Sequence, residues 1–277
     1  MAIWRPAGAV GNLLGEMERL APGVRRLLSI IASEAGADEA LGSNEVDRAR
    51  RRDTYLVRFV APIAELAGWP EHPPPRLTEY LEVHLRLAGV WRTLDDLLDS
   101  APGDDHLPEL ARRSVASSAR AATAMTRLGL PLESLEEAIA LTCATRKDEC
   151  REVLTLGRIP ERAAPFLVIP RALLAPRSFS AWEAYVAAIG LLHDVHDVAR
   201  DLEQGIRTLP TTWLAEVSAA REFRPDVLAT WWARCANELT AAIELVPRDI
   251  AGPITNLLLD EALVYAAELR QPAAPNT

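Results

Sequence analysis

Apolar residues recur every three or four positions along almost the whole chain, the period of a helix with one buried face. The spacing predicts helices near residues 12–35, 46–67, 78–100, 107–128, 132–157, 163–175, 179–205, 225–246 and 250–270. No segment shows the strict alternation of a half-buried strand. Proline and glycine mark the breaks. Pro70 and Pro73-Pro74-Pro75 close the second helix, Ala101-Pro102-Gly103 closes the third, and Gly129 with Pro131 parts the fourth from the fifth. Thr78, followed by Leu81 and Glu82, predicts the start of the third helix. With no internal repeat and no long linker, the expected fold is all-α in a single domain over residues 1–277. The Pro/Ala-rich tail from residue 270 on is expected to fray.

Composition narrows the class of protein. Apolar residues make up 49% of 277, enough for a sizeable core. The net charge of −9 argues against a nucleic-acid backbone as partner. It leaves room for an anionic ligand, because a divalent metal reverses the local sign. Cys143, Cys150 and Cys235 lack zinc-ligand spacing, and an odd number suits no complete disulfide framework. Reduced thiols, no signal-peptide pattern in 1–26 and no uncharged run long enough to span a bilayer predict a soluble, cytoplasmic protein without a transmembrane segment. The charge run Asp47–Asp53 reads as a solvated helix face, with a phosphate-facing patch as the alternative.

Two acidic constellations stand out. Asp95-Asp96-Leu97-Leu98-Asp99 lies at the C-terminal end of the third predicted helix. Asp95 and Asp99 are one turn apart on one face, and Asp96 lies beside them. Three carboxylates near the negative end of a helix dipole repel one another unless the end is solvated or a cation is shared. Magnesium suits such a site, since it takes oxygen ligands and keeps waters and phosphates in its shell. The second constellation spans His193–Gly205. His193, Asp197 and Asp201 form one stripe at i, i+4 and i+8, and Asp194, Asp197 and Asp201 form a neighbouring one. The preceding stretch Tyr185–Leu192 carries no charge, as expected of a buried helix that turns acidic where it enters a cavity.

Asp95–Asp99 resembles the DDxxD motif of class I terpenoid synthases, and His193–Asp201 resembles their second motif, NDxxSxxxE. His193 stands at the Asn, Asp194 at the Asp, Asp197 at the Ser and Asp201 at the Glu. The run through Gly205, Arg207, Leu209 and Pro210 is similar to the second motif of squalene and phytoene synthases. The resemblance implies a helical bundle around a central apolar cavity, with the two motifs facing each other. It implies that Asp95, Asp96 and Asp99 trigger the chemistry, and that metal ligands come from Asp95, Asp99, His193, Asp194, Asp197 and Asp201. The cofactor would be magnesium, three ions with the bound diphosphate. The substrate would be a prenyl diphosphate, and the chain could pair as a homodimer.

The sequence also departs from the family pattern. Imidazole at His193 is a poor magnesium partner, so Asp194 is the favoured ligand on oxygen preference, whereas the motif's alignment favours position 193. The motifs lie 98 residues apart, closer than the superfamily leads one to expect. No C-terminal Arg-Tyr pair matches the one in many bacterial cyclases; Tyr265 and Arg270 are loose candidates. Arg146, Lys147 and Arg151 lie where the resemblance implies a diphosphate-sensing base, and Arg207 follows Gly205 in the matched region. Each also reads as an ordinary surface charge. Trp91, one turn before Asp95, is the best candidate for an aromatic face toward a carbocation. Trp69, Trp182, Trp213, Trp231 and Trp232 read as core, and His84 and His196 as structural.

The expected activity is therefore that of a magnesium-dependent terpene synthase or cyclase, a lyase acting on one prenyl diphosphate. The alternatives are a prenyltransferase that joins two prenyl diphosphates, head-to-tail or as squalene and phytoene synthases do, and a non-catalytic partner subunit. Head-to-tail elongation is disfavoured because there is no Gly-Lys-Arg segment in the N-terminal third, and Arg112-Arg113 falls too far after Asp99.

Overall fold

The computed structural model of the chain describes residues 15–20, 22–35, 53–100, 105–149, 155–217 and 225–270. All regular structure among them is helical. In chain order the helices are α1 (Val24–Ala35), α2 (Ala61–Leu66), α3 (Leu77–Leu98), α4 (Leu107–Leu128), α5 (Glu133–Glu149), α6 (Ile159–Arg162), α7 (Pro165–Leu173), α8 (Pro176–Gln204), α9 (Leu209–Val217), α10 (Pro225–Glu244) and α11 (Pro253–Leu269). A π-helical turn, Leu56–Val60, runs into α2, and a 3-10 turn, Leu156–Arg158, runs into α6. None of these helices is long and apolar enough to cross a membrane.

Helix α3 is apolar on two faces. Leu81, Leu85 and Ala88, at i, i+4 and i+7, are buried in the larger core. Val83, Leu87 and Val90 repeat that spacing and are buried in a smaller core with Ala121, Met125, Leu135 and Ile169. Burying one such Leu or Val side chain contributes about 1.5–3 kcal/mol. The helix is clasped by α1, α4 and α7, and only its last turns, from Asp95 on, escape into polar surroundings.

Helix α8 is the second long wall. Pro176 occupies its first turn, where no backbone donor is lost. The uncharged stretch Tyr185–Leu192 is buried nearly throughout. Gly205 ends the helix in the left-handed conformation (φ 68°), with the Ile206 N–H bonded to the Asp201 carbonyl at 2.8 Å. Gly190 allows a close approach: a methyl group there would overlap the side chain of Ile159. That contact draws the short helix α6 against α8, and Arg162, one turn beyond Ile159, comes with it.

Several boundaries differ from the sequence reading. The predicted helix 12–35 is broken by a turn at Pro22-Gly23, where Gly23 has φ 90°. Thr78 does not cap α3; Arg76 precedes the helix with φ 62° and pairs with Glu79 at 2.6 Å. Of the predicted helix 132–157, Glu133–Glu149 is α-helical, residues 150–154 lie outside the described ones, and Leu156–Arg158 is a 3-10 turn. The predicted helix 163–175 is one helix over Pro165–Leu173, and the short helix α6 ahead of it was not foreseen. Helix α9 was not foreseen: Pro210 reads as a breaker, yet it sits in a first helical turn, and the Thr211 hydroxyl accepts the Thr208 N–H at 2.8 Å. Residues 46–52 and 271–277 lie outside the described residues.

One long-range cap ties the C-terminal helix to the rest. The buried Glu65 carboxylate on α2 accepts the N–H of Ile254 at 2.7 Å, the N–H of Thr255 at 2.8 Å and the Thr255 hydroxyl at 2.8 Å. Gly252 must stay small, because a methyl there would overlap that carboxylate. Glu65→Ala leaves three buried donors without an acceptor, each worth about 1 kcal/mol or more, so we expect a loss of about 3 kcal/mol in urea unfolding. An unchanged midpoint and slope would show that the cap carries no weight.

Candidate active site

The acid ends of α3 and α8 face one cavity of about 480 Å³. Trp91, Arg92, Asp95 and Asp99 line it from α3; Gly190, His193, Asp194, Asp197 and Asp201 line it from α8. Arg146 comes from α5, Arg162 from α6, and Tyr55, Phe59 and Phe166 add aromatic rings to the lining. Phe59 and Phe166 have ring centroids 4.5 Å apart, and Trp91 lies 5.3 Å from Phe166. The Trp91 indole N–H is held by the Arg162 carbonyl at 3.2 Å.

Guanidiniums connect the two acid walls. Arg146 is hydrogen-bonded to Asp99, lies 3.7 Å from Asp95, and pairs with Glu149 at 2.8 Å. Glu149 is 3% exposed, and its other oxygen meets Arg162 at 3.2 Å. Arg162 reaches Asp194 at 2.7 Å. A continuous chain, Asp99–Arg146–Glu149–Arg162–Asp194, thus runs from α3 through α5 and α6 to α8. Arg200 pairs with Asp197 at 3.0 Å, and His196 Nδ1 meets the same carboxylate at 2.8 Å.

The environment sorts the titrating groups. Burial pushes the Asp95 carboxyl up, and Arg146 works against it. Burial likewise raises Asp194 against the pull of Arg162. The hydrogen bond from His196 holds Asp197 below its ordinary range. Asp201 is pushed up to about 6 by burial and by the neighbouring charge of Asp194. Burial, then the charge of Arg58, brings His193 down to about 3, so its imidazole is neutral at pH 7.

The other expected residues fall elsewhere. Asp96 is not among the lining residues; it points to Arg92 at 2.7 Å. Lys147 and Arg207 line an adjoining hollow of about 420 Å³, which shares Asp99, Arg146 and Ile206 with the main cavity. Arg151 lies outside the described residues. Tyr265 is buried, and Arg270 donates to Thr240 at 3.0 Å; neither lines the cavity. His84 is buried beside Phe166 and Trp182. Trp182, Trp213 and Trp231 are buried, and the Trp182 and Trp231 N–H groups bond to the carbonyls of Phe166 and Pro210.

Sequence reasoning missed Glu149, Arg162, Arg58 and the aromatic rings Tyr55, Phe59 and Phe166. Tyr55 and Phe59 share a helical face by their i, i+4 spacing, the one available signal for them.

Among the described residues, no three His, Cys, Asp or Glu groups converge on one point. A cage of that kind is not what magnesium requires, since it is commonly held by one or two carboxylates together with waters and substrate phosphates. Asp95 and Asp99 on one wall, and Asp197 and Asp201 on the other, supply hard oxygen donors to one cavity, and that chemistry fits magnesium.

No family model, curated protein or solved structure matches the chain. Its function must be read from the cavity.

Asp201 offers a test of the crowding. A carboxyl whose pKa is higher in the fold than in the unfolded chain stabilises the fold when protonated. That contribution is complete below about pH 4 and is lost as pH rises through about 6. Without divalent metal, Asp201→Asn should exceed wild type in stability near neutral pH by up to about 3 kcal/mol. The difference should vanish below about pH 4, as read from urea unfolding across pH. A variant less stable than wild type at neutral pH would contradict the crowding.

Proposed function

We propose that the chain is a class I terpene synthase that ionises a single prenyl diphosphate with magnesium and releases diphosphate. The observation that carries this reading is one cavity lined by carboxylates from both α3 and α8 and by four aromatic rings, Tyr55, Phe59, Trp91 and Phe166. A prenyl diphosphate has the matching polarity, a multiply charged head on an apolar tail. Asp95 and Asp99 would hold metal on one wall, and Asp197 and Asp201 on the other. Magnesium, when bound, would neutralise the charge that makes diphosphate a poor leaving group.

The chain's own residues do the rest. Arg146 and Arg162 already line the cavity, and guanidinium N–H groups suit phosphate oxygens. With the head so held, the allylic C–O bond breaks and its electron pair leaves with diphosphate. Trp91, Phe59, Tyr55 and Phe166 exclude water from the resulting carbocation, and each ring face favours it by on the order of 1 kcal/mol. Loss of a proton completes a hydrocarbon product, and capture of one water with loss of its proton completes an alcohol.

The adjoining hollow bears on the coupling alternative. Its lining sets Leu98, Ile206 and Cys143 among five charged side chains, Asp99, Arg146, Lys147, Glu149 and Arg207, and holds no aromatic ring. A second prenyl chain would lie there among those charges, which favours the one-substrate reading. The partner-subunit alternative is favoured by one observation: Asp99 and Asp194 are already held in ion pairs by Arg146 and Arg162.

Incubation with C10, C15 and C20 prenyl diphosphates plus magnesium tests the reading. We expect diphosphate release from a single substrate together with a hydrocarbon or alcohol product. Asp95→Ala and Asp197→Ala should each lower turnover at least about a hundredfold, a loss of about 2.7 kcal/mol in transition-state stabilisation, with the fold retained by circular dichroism. Release only after a second prenyl substrate is added would point to coupling. No release with any substrate would point to the partner subunit.

A further inference from the structure

Position 193 is where this chain leaves the motif it resembles, and the structure gives that position an unexpected neighbour. Arg58 lies on the π-helical turn Leu56–Val60, far away in sequence, and is 5% exposed. Its Nη1 lies 3.1 Å from Nε2 of His193. Its backbone carbonyl accepts the Tyr185 hydroxyl at 2.7 Å, and Tyr185 lies two turns ahead of His193 on α8. The turn is thus pinned to α8 at two points, which fixes guanidinium against imidazole. Single π-turns inside helices are often found at functional sites.

The chemistry of the contact is one-way. A guanidinium has donors and no acceptor, and Arg58, although burial lowers it to about 10, stays charged at neutral pH. Nε2 must therefore be the acceptor, and in a neutral imidazole the proton then sits on Nδ1. The Nε2 lone pair is engaged, and Nδ1 carries a hydrogen, so neither nitrogen offers an electron pair to a cation. A full positive charge 3.1 Å from Nε2 also opposes a divalent ion at that place. His193 nevertheless lines the cavity, together with Gly190 and Asp194. A neutral N–H at a cavity wall suits an anionic oxygen.

We propose that Arg58 is a positioning residue that takes His193 out of the metal ligands and makes it a hydrogen-bond donor to an oxygen of the bound diphosphate. The proposal rests on the function proposed above. It resolves the choice between the two stripes against imidazole, leaving Asp197 and Asp201 as the metal-facing carboxylates of α8.

The test is the state of the two ring nitrogens, read by NMR of protein carrying ring-15N histidine. The His193 signals are assigned by their loss in His193→Asn. In the ligand-free wild type we expect a proton on Nδ1 and none on Nε2. Magnesium alone should leave both nitrogens unshifted, and magnesium with inorganic diphosphate should shift Nδ1. Arg58→Met should move the proton toward Nε2 and weaken magnesium-dependent diphosphate binding roughly tenfold, the loss expected for one hydrogen bond to a charged group. If Arg58→Met does not fold, the wild-type spectrum decides the tautomer without it. A proton on Nε2 in wild type, or a shift of either nitrogen by magnesium alone, overturns the proposal. Diphosphate that binds without moving Nδ1 overturns this proposal and leaves the synthase reading standing. Diphosphate that does not bind at all overturns both.

Discussion

Glu149 is a buried carboxylate shared by two guanidiniums, and the cavity's shape depends on that sharing. Arg146 and Arg162 would repel each other if left side by side in the same wall. Glu149 between them joins α5 to α6, and through their other contacts it joins the acid end of α3 to that of α8. Removing one partner from a buried ionic group typically costs about 3–5 kcal/mol, because the remaining charges are left without compensation. The same arrangement leaves the site poised for exchange. Each guanidinium is bound to carboxylates that line the cavity, and a phosphate oxygen is an equally good acceptor for the same N–H groups.

The scaffold places these charges by apolar contacts some distance away. Two-sided burial holds α3 so that only its last turns reach the cavity. The contact of Ile159 with Gly190 sets the spacing of α6 from α8, and so the reach of Arg162. The π-turn adds a residue to the helical path ahead of α2, and it presents Arg58 toward α8 rather than toward solvent. A cavity lined by both carboxylates and aromatic rings thus follows from where three helices are allowed to touch.

Much of this was legible in the sequence, and the rest was hidden for physical reasons. The long helices α3 and α8 show because their apolar period is sustained over many turns. The carboxylate stripes show because spacing alone puts Asp95 with Asp99 and Asp197 with Asp201. Asp96 was grouped with its neighbours, yet one residue along a helix is a rotation of about 100°, which turns it away toward Arg92. The same rotation separates Arg146, which faces the cavity, from Lys147, which lines only the adjoining hollow. Glu149, Arg162 and Arg58 carry no local signal. Arg162 sits in a proline-bounded stretch that reads as a break, and Arg58 meets His193 only through tertiary packing across 135 positions. The Thr78 cap failed because Arg76 takes a left-handed conformation that composition does not announce.

The most direct measurement is calorimetric titration of the wild-type protein with inorganic diphosphate, with magnesium and with a chelator in its place. If the two acid walls and their bridging arginines form a metal-diphosphate site, diphosphate binds at one site per chain in magnesium and does not bind in the chelator. Equal binding under both conditions would make the cavity a simple arginine-lined anion site. No binding in magnesium would contradict a diphosphate-handling role for the cavity altogether.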